Sequence, residues 1–360
     1  MRRAIMRRRA TLFAFAAACS AAVVTLDSRV PATAADVSDQ VVTPVRTIKG
    51  AMTGLLWPSG VAVDSAGAVY VSNDGDLASK QDSVTVYAAG ANGDVAAART
   101  ISGGRTGLTR PGGLAVDSAG ILYVANAGVS GAGSSVLGQD RVLVFAAGAN
   151  GDVAPLRYIT NDIVTPKAVA FDARGFIYVS NYGAMVNAPN SITVYKPGAA
   201  ADETPVRAIT GSRTTLDTPL GLAVGPHGDL FVVNSGRVNL GIDSIIVFAP
   251  GASGDAAPER TITGDKTGLD VPQSVAVDAA GYIYVTNFGS SSITVYAPNA
   301  TGNAVPIRLI AGTDANLGAY VAGVASGASD GDLYVVSRSQ QPTTEPSWVG
   351  VFSRSLIVGH

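Results

Sequence analysis

The stretch Pro272–Gly312, PQSVAVDAAGYIYVTNFGSSSITVYAPNATGNAVPIRLIAG, decides the fold, because the rest of the chain repeats it. Its frame returns at Pro58, Pro111, Pro166 and Pro219, at intervals of 53, 55, 53 and 53 residues. A period of this size indicates stacked copies of one supersecondary unit. Within a copy, the apolar run Val275-Ala276-Val277 ends in the turn Asp278-Ala-Ala-Gly281. Asp at the first and Gly at the last position suit a tight hairpin. Two β-branched and aromatic runs follow, YIYVTN and SITVY, and then a short segment carrying Arg308 and Ile310. Each copy therefore predicts four antiparallel strands, and no segment beyond the N-terminal leader sustains the 3.6-residue period of a helix.

Four-stranded units repeated around a circle make a β-propeller, whose blades bury both sheet faces against their neighbours. That explains why the first strand is apolar at successive positions. The recurrent small residues Ala62, Ala115, Ala170, Ala223 and Ala276 are expected where inner strands crowd the axis. A degenerate sixth copy opens at Gly323-Val324-Ala325 and continues through Leu333–Val336 and Trp348–Phe352, but it has no fourth strand of its own. Pro44–Gly50, PVRTIKG, matches a fourth strand and precedes the first full copy. The expected architecture is all-β: a six-bladed propeller over 44–352, its last blade completed by the N-terminal strand.

Residues 1–34 differ in kind. Five arginines (Arg2, Arg3, Arg7, Arg8, Arg9) precede an apolar run from Ala10 to Leu26, and Ala32-Thr33-Ala34 supplies small residues for cleavage. This is the order of an export signal, followed by a linker over 35–43, and residues 353–360 read as a C-terminal tail. A secreted or envelope protein is expected, with no membrane span in the mature chain. Loss of the leader would remove six of 25 basic and one of 27 acidic residues, leaving 19 against 26, near −7. Such a surface argues against nucleic acid as a partner. The single cysteine, Cys19, lies in the leader, so the mature chain has no disulfide and no thiol chemistry.

The frame Pro-x-Gly-[Val/Leu]-Ala-Val-Asp-x-x-Gly-x-[Ile/Val/Leu]-Tyr-Val, followed by Asn and later [Val/Ile]-x-Val-[Tyr/Phe], resembles the NHL repeat of six-bladed propellers. That family includes binding modules, scaffolds and a few lyases, so the resemblance implies the architecture and leaves the chemistry to the site. Propellers of the gluconolactonase and strictosidine synthase kind are similar in fold, and many lactonases among them hold a divalent cation in the axial mouth. The first strands offer Gly60, Gly113, Ala168, Gly221, Ser274 and Gly323 there, without a carboxylate, so neither metal nor cofactor is expected. His227 falls in a turn and His360 ends the chain, which leaves no evident acid–base histidine.

Three recurring polar sets remain. Asp82-Ser83, Asn190-Ser191 and Asp243-Ser244 at the third-strand entrance are expected to cap local turns. Asp94/Arg99, Asp152/Arg157, Asp202/Arg207, Asp255/Arg260 and Asn303/Arg308 stand five apart and read as structural pairs at the outer edge. Asn73, Asn126, Asn181, Asn234 and Asn287 end the second strands, and Tyr182 and Phe288 directly follow two of them. With the uncharged loop Ala127–Gln139, these seven residues are the candidate ligand-binding set, the alternative being that each amide ties its own loop. The expectation is a monomeric, non-enzymatic propeller that binds a polar partner, a glycan, a peptide or an envelope protein, through this loop face. A lyase- or lactonase-type enzyme is the alternative.

Overall fold

The computed structural model describes residues 42–358 except 76–80, 129–139, 184–187, 237–241, 313–314, 316, 319, 328–330 and 340–345. The segment expected to be an export signal, nearly all of the expected linker, all but two residues of the loop Ala127–Gln139, and His360 lie outside the described residues. Six four-stranded antiparallel sheets form the molecule, each a meander in chain order apart from the last. In blade 1 the inner strand is Pro58–Val63, the second Val69–Asn73, the third Ser83–Tyr87 and the outer Arg99–Ser102. Blades 2 to 5 repeat this order from Pro111, Pro166, Pro219 and Pro272. Blade 6 comprises Tyr320–Ser326, Leu333–Arg338, Trp348–Phe352 and, outermost, Arg46–Lys49 from the other end of the chain. Arg46 pairs with Val351 and Ile48 with Val349, so the ring closes as its sequence predicts.

The core lies between blades. One cluster joins Ile48, Tyr334, Val336, Val349 and Val351 of blade 6 to Val61, Val69, Val71 and Tyr87 of blade 1, and equivalent clusters fill the remaining seams. Each sheet thus loses both faces to its neighbours, which is why the second strands of blades 1 to 5 are buried at every position. The Tyr87 hydroxyl donates to the Thr53 carbonyl at 2.6 Å, and burial pushes its pKa up to about 12. At the axis, backbone approaches backbone. A Cβ on Gly221 would stand 2.6 Å from Ser274 Cα, and one on Gly60 would stand 2.9 Å from Gly113 Cα. The crowding expected at Ala62 and its equivalents therefore sits two residues earlier, at the glycines. The alanines line the far end of the channel instead.

Polar side chains join neighbouring blades, and two of the expected local pairings give way to this. Asp94, Asp152 and Asp255 do not hold the arginines five residues on. Each accepts an N–H from the turn after the preceding blade's outer strand, that of Met52, Arg105 or Arg213, at 2.7 Å. The arginines cross the seam: Arg99 donates to the Tyr70 hydroxyl at 3.0 Å and to the Ala149 carbonyl at 3.1 Å, and Arg157 repeats this with Tyr123 and Ala199.

Residues 353–358 also depart from the expected tail. Arg354–Val358 form the α-helix found among the described residues, Ile357 is 1% exposed, and Arg354 Nε bonds Asp278 Oδ2 at 2.7 Å. The Ile357 carbonyl accepts Arg308 Nε at 3.1 Å, a role that the turn after the next blade's third strand fills for Arg99 and Arg157. Blade 6 takes its outer strand from Arg46–Lys49, and after its third strand the helix stands in the place of that turn.

Candidate functional site at the axial mouth

All five asparagines are buried, at 0 to 2% exposure. In each, Oδ1 accepts the N–H of the residue 17 positions earlier, in the loop that enters its own blade: Leu56, Thr109, Val164, Asp217 and Asp270, at 2.6 to 3.1 Å. The amide nitrogen turns inward, from Asn181 to Thr193 Oγ1 at 3.0 Å and from Asn73 to Thr85 Oγ1 at 3.2 Å. These amides shape the mouth by fixing its entry loops. Tyr182 is 6% exposed, with the Lys167 ammonium 5.6 Å from its ring centre. Phe288 stacks on Tyr320 with ring centres 4.3 Å apart and planes at 10°, half-buried on the loop face.

The third-strand acids act across the seam as well. Asp82, Asp140 and Asp243 each accept, through Oδ2, the N–H of the residue before the next inner strand: Arg110 at 3.2 Å, Thr165 at 2.8 Å and Val271 at 2.8 Å. Those three residues have φ of 51°, 44° and 52°, a left-handed conformation costly for residues with side chains. The carboxylate from the previous blade helps to hold it.

The fold thereby assembles a mouth that the recurring residues did not reveal. A cavity of about 260 Å³ opens on the axis at the N-terminal ends of the inner strands, and Asp74, Arg110, Lys167 and Arg338 line it together with Ser59, Gln273 and Ser274. Six apolar residues, Val61, Leu114, Val169, Leu222, Val275 and Val324, one from each blade, line both this cavity and the wider opening at the other end and form the floor between them. A carboxylate, Asp74, is therefore present where none was expected. It is contributed by the residue after Asn73, the position that holds Tyr182 and Phe288 in blades 3 and 5 and Arg338 in blade 6. Lys167 and Gln273 share another frame position, directly after the strand-opening proline. Reading these two positions across all copies would have exposed the mouth.

The charges are unequal. Blades 6, 1, 2 and 3 contribute Arg338, Asp74, Arg110 and Lys167, whereas blades 4 and 5 contribute Leu220, Gln273 and Ser274. Burial and the neighbouring Arg110 pull the Lys167 amine down to about 8, against the opposing pull of Asp74 and Asp140. Burial pushes the Asp74 carboxyl up, while Arg110 and Arg338 hold it down. Arg338 is fixed by Nε to the Pro58 carbonyl at 2.8 Å and by Nη2 to Ser59 Oγ at 2.7 Å, and its own charge is disfavoured by burial. Among the described residues, no cluster of three or more His, Cys, Asp or Glu could hold a metal ion.

No protein-family model matches the chain, and no curated protein matches it in sequence. Solved structures do match. The PQQ-bound aldose sugar dehydrogenase from Streptomyces coelicolor superposes with a TM-score of 0.57 at 17% identity, over 87% of this chain and 97% of the other. A gluconolactonase from Xanthomonas campestris gives 0.52 at 15% identity, over 87% and 96%. The WD40 β-propeller domain of Doa1 gives 0.51 at 12% identity, over 82% and 79%. These likenesses establish the fold. This chain is a six-bladed β-propeller.

Proposed function

We propose that the protein is an enzyme of the lactonase or lyase type, acting on a small polar molecule in the axial mouth. The observation that carries this reading is the placing of Lys167 in the lining of a polar cavity beside Arg110 and Asp74, where burial and Arg110 pull its amine down to about 8. A general base works best when its pKa lies near the working pH. Lys167 would take a proton from water or from the substrate, and Arg110 and Arg338 would face the oxygen that gains negative charge. That a sugar dehydrogenase and a gluconolactonase share the fold supports the reading by analogy alone. The repeat frame supports an NHL-type propeller, and the leader supports export, so that the substrate would be an extracellular or envelope solute. A panel of sugar lactones and uronate-containing oligosaccharides tests the activity. Turnover that rises as pH passes about 8 and is lost in Lys167→Met is the expected result, and absence of turnover on every member would overturn it.

One observation favours binding without catalysis. The stacked pair Phe288–Tyr320 offers a half-buried aromatic surface on the same loop face, a surface suited to a sugar ring or a peptide side chain. A glycan or peptide whose affinity falls in Phe288→Ala, in a protein that turns nothing over, would establish that reading.

A further inference from the structure

We infer that the axial mouth recognises a small molecule through a carboxylate, seated on Arg110, Lys167 and Arg338, with the uncharged body of the ligand toward Gln273 and Ser274. This rests on reading the mouth as the functional site, and it adds the chemical class of the ligand. Three cationic side chains line one side of the cavity and one carboxylate, Asp74, lines it with them. Asp82 and Asp140 stand behind, each accepting a backbone N–H from the next blade, so neither faces the cavity as a lining residue. Gathering buried like charges around one cavity is unfavourable unless an anion offsets them. Asp74 is the carboxylate that lines the cavity beside them, while Asp82 and Asp140 act on Arg110 and Lys167 from behind and are engaged there by backbone N–H groups. Arg338 is already anchored by two hydrogen bonds, so a ligand carboxylate would meet it with little further ordering.

The division of the lining sets the shape of the ligand. The charged side spans blades 6, 1, 2 and 3, and the remainder, Leu220, Gln273 and Ser274, carries no charge. A molecule with one acidic end and a hydroxylated body fits this division, as a sugar acid does. A polyphosphate, charged along its length, would place charge against the neutral side. The cavity of about 260 Å³ is of the size that holds a small molecule or one sugar unit.

Calorimetry and thermal shift on the whole protein at pH 7 test this with D-gluconate, citrate and inorganic phosphate as anions, and D-glucose as the neutral counterpart of gluconate. Gluconate should bind and raise the melting temperature where glucose does neither. Asp74→Asn, which removes the internal competitor, should tighten gluconate about tenfold, and Lys167→Met should weaken it by about as much. In the parent, affinity should fall as pH rises past about 8, where Lys167 loses its charge, and Lys167→Met should lose most of this dependence. Equal binding of glucose and gluconate, phosphate binding as tightly as gluconate, or no gain in Asp74→Asn would each overturn the assignment. Gluconate binding in a protein without turnover would sustain the carboxylate site and remove the catalytic reading. Turnover of neutral substrates with no anion bound would do the reverse.

Discussion

Lys167 is the residue at which stability and chemistry oppose each other. Its folded pKa of about 8 lies below the ordinary 10.5, so over that window the unfolded chain carries a proton that the folded chain has lost. Stability contributed by this group therefore rises with pH from about 8 to 10.5, and below 8 the full cost of the charged amine is present. Lys167→Met should be more stable than the parent at pH 7, by on the order of 1–3 kcal/mol, with the difference shrinking toward pH 10. Urea unfolding at several pH values would show it, and a difference constant in pH would refute it. Asn181 behaves in the opposite sense. Truncation to Ala would strip the Val164 N–H and Thr193 of a buried partner and should cost about 1–3 kcal/mol, read as a lower melting temperature. The asparagines were conspicuous in the sequence because they recur in every regular blade. Their bonding partner was not, since it lies 17 residues away across two strands. Lys167 was illegible for another reason: it stands at a frame position where the other blades carry Ser59, Gly112, Leu220 and Gln273, and a single lysine in such a series attracts notice only when the blades converge.

Among the elements, the inner strands and the C-terminal helix show where sequence reading succeeds and fails. The inner strands were legible because a proline opens each regular copy and an Asp-x-x-Gly or equivalent turn closes it, and both devices act within a few residues. Their packing was less so. Alanine and glycine are both small, and the distance of closest approach decides which lies at the axis, as the 2.6 Å from a Gly221 Cβ to Ser274 Cα shows. The helix Arg354–Val358 gives no signal of its own: five residues, RSLIV, are too few to be helical alone. It forms because blade 5 needs a partner where the next blade has no turn to offer. Ile357→Ala should accordingly lower stability by about 2–4 kcal/mol, in the range of a buried Ile truncation. A change of a few tenths would mean that the helix is dispensable. Leu356→Ala, at an exposed position on the same helix, supplies the control, and its melting temperature should stay near that of the parent.

At the scale of the whole molecule, the ring is closed by one strand of four residues, and everything above depends on that closure. Arg46–Lys49 pairs with Trp348–Phe352, Ile48 is fully buried in the seam between blades 6 and 1, and the Lys49 N–H donates to the Gly93 carbonyl at 3.1 Å in blade 1. The strand thus pairs within one blade and bridges to the next. Without it, Trp348–Phe352 would become an open edge with unpaired N–H and C=O groups, the kind of edge that recruits other chains. A protein beginning at residue 51 should therefore melt lower than one beginning at residue 42, by more than Ile357→Ala does, and should form oligomers on size-exclusion chromatography. A synthetic peptide covering Pro44–Gly50, added in excess, should restore the monomer and part of the melting temperature by re-pairing with the edge. The same truncation should weaken binding at the mouth, because Arg338 of blade 6 reaches it by grasping Pro58 and Ser59 of blade 1 across the seam that Ile48 fills. Equal melting temperatures for the two starting points would show that blades 6 and 1 hold together without the N-terminal strand, and that the order of the mouth has its source in the inner strands alone.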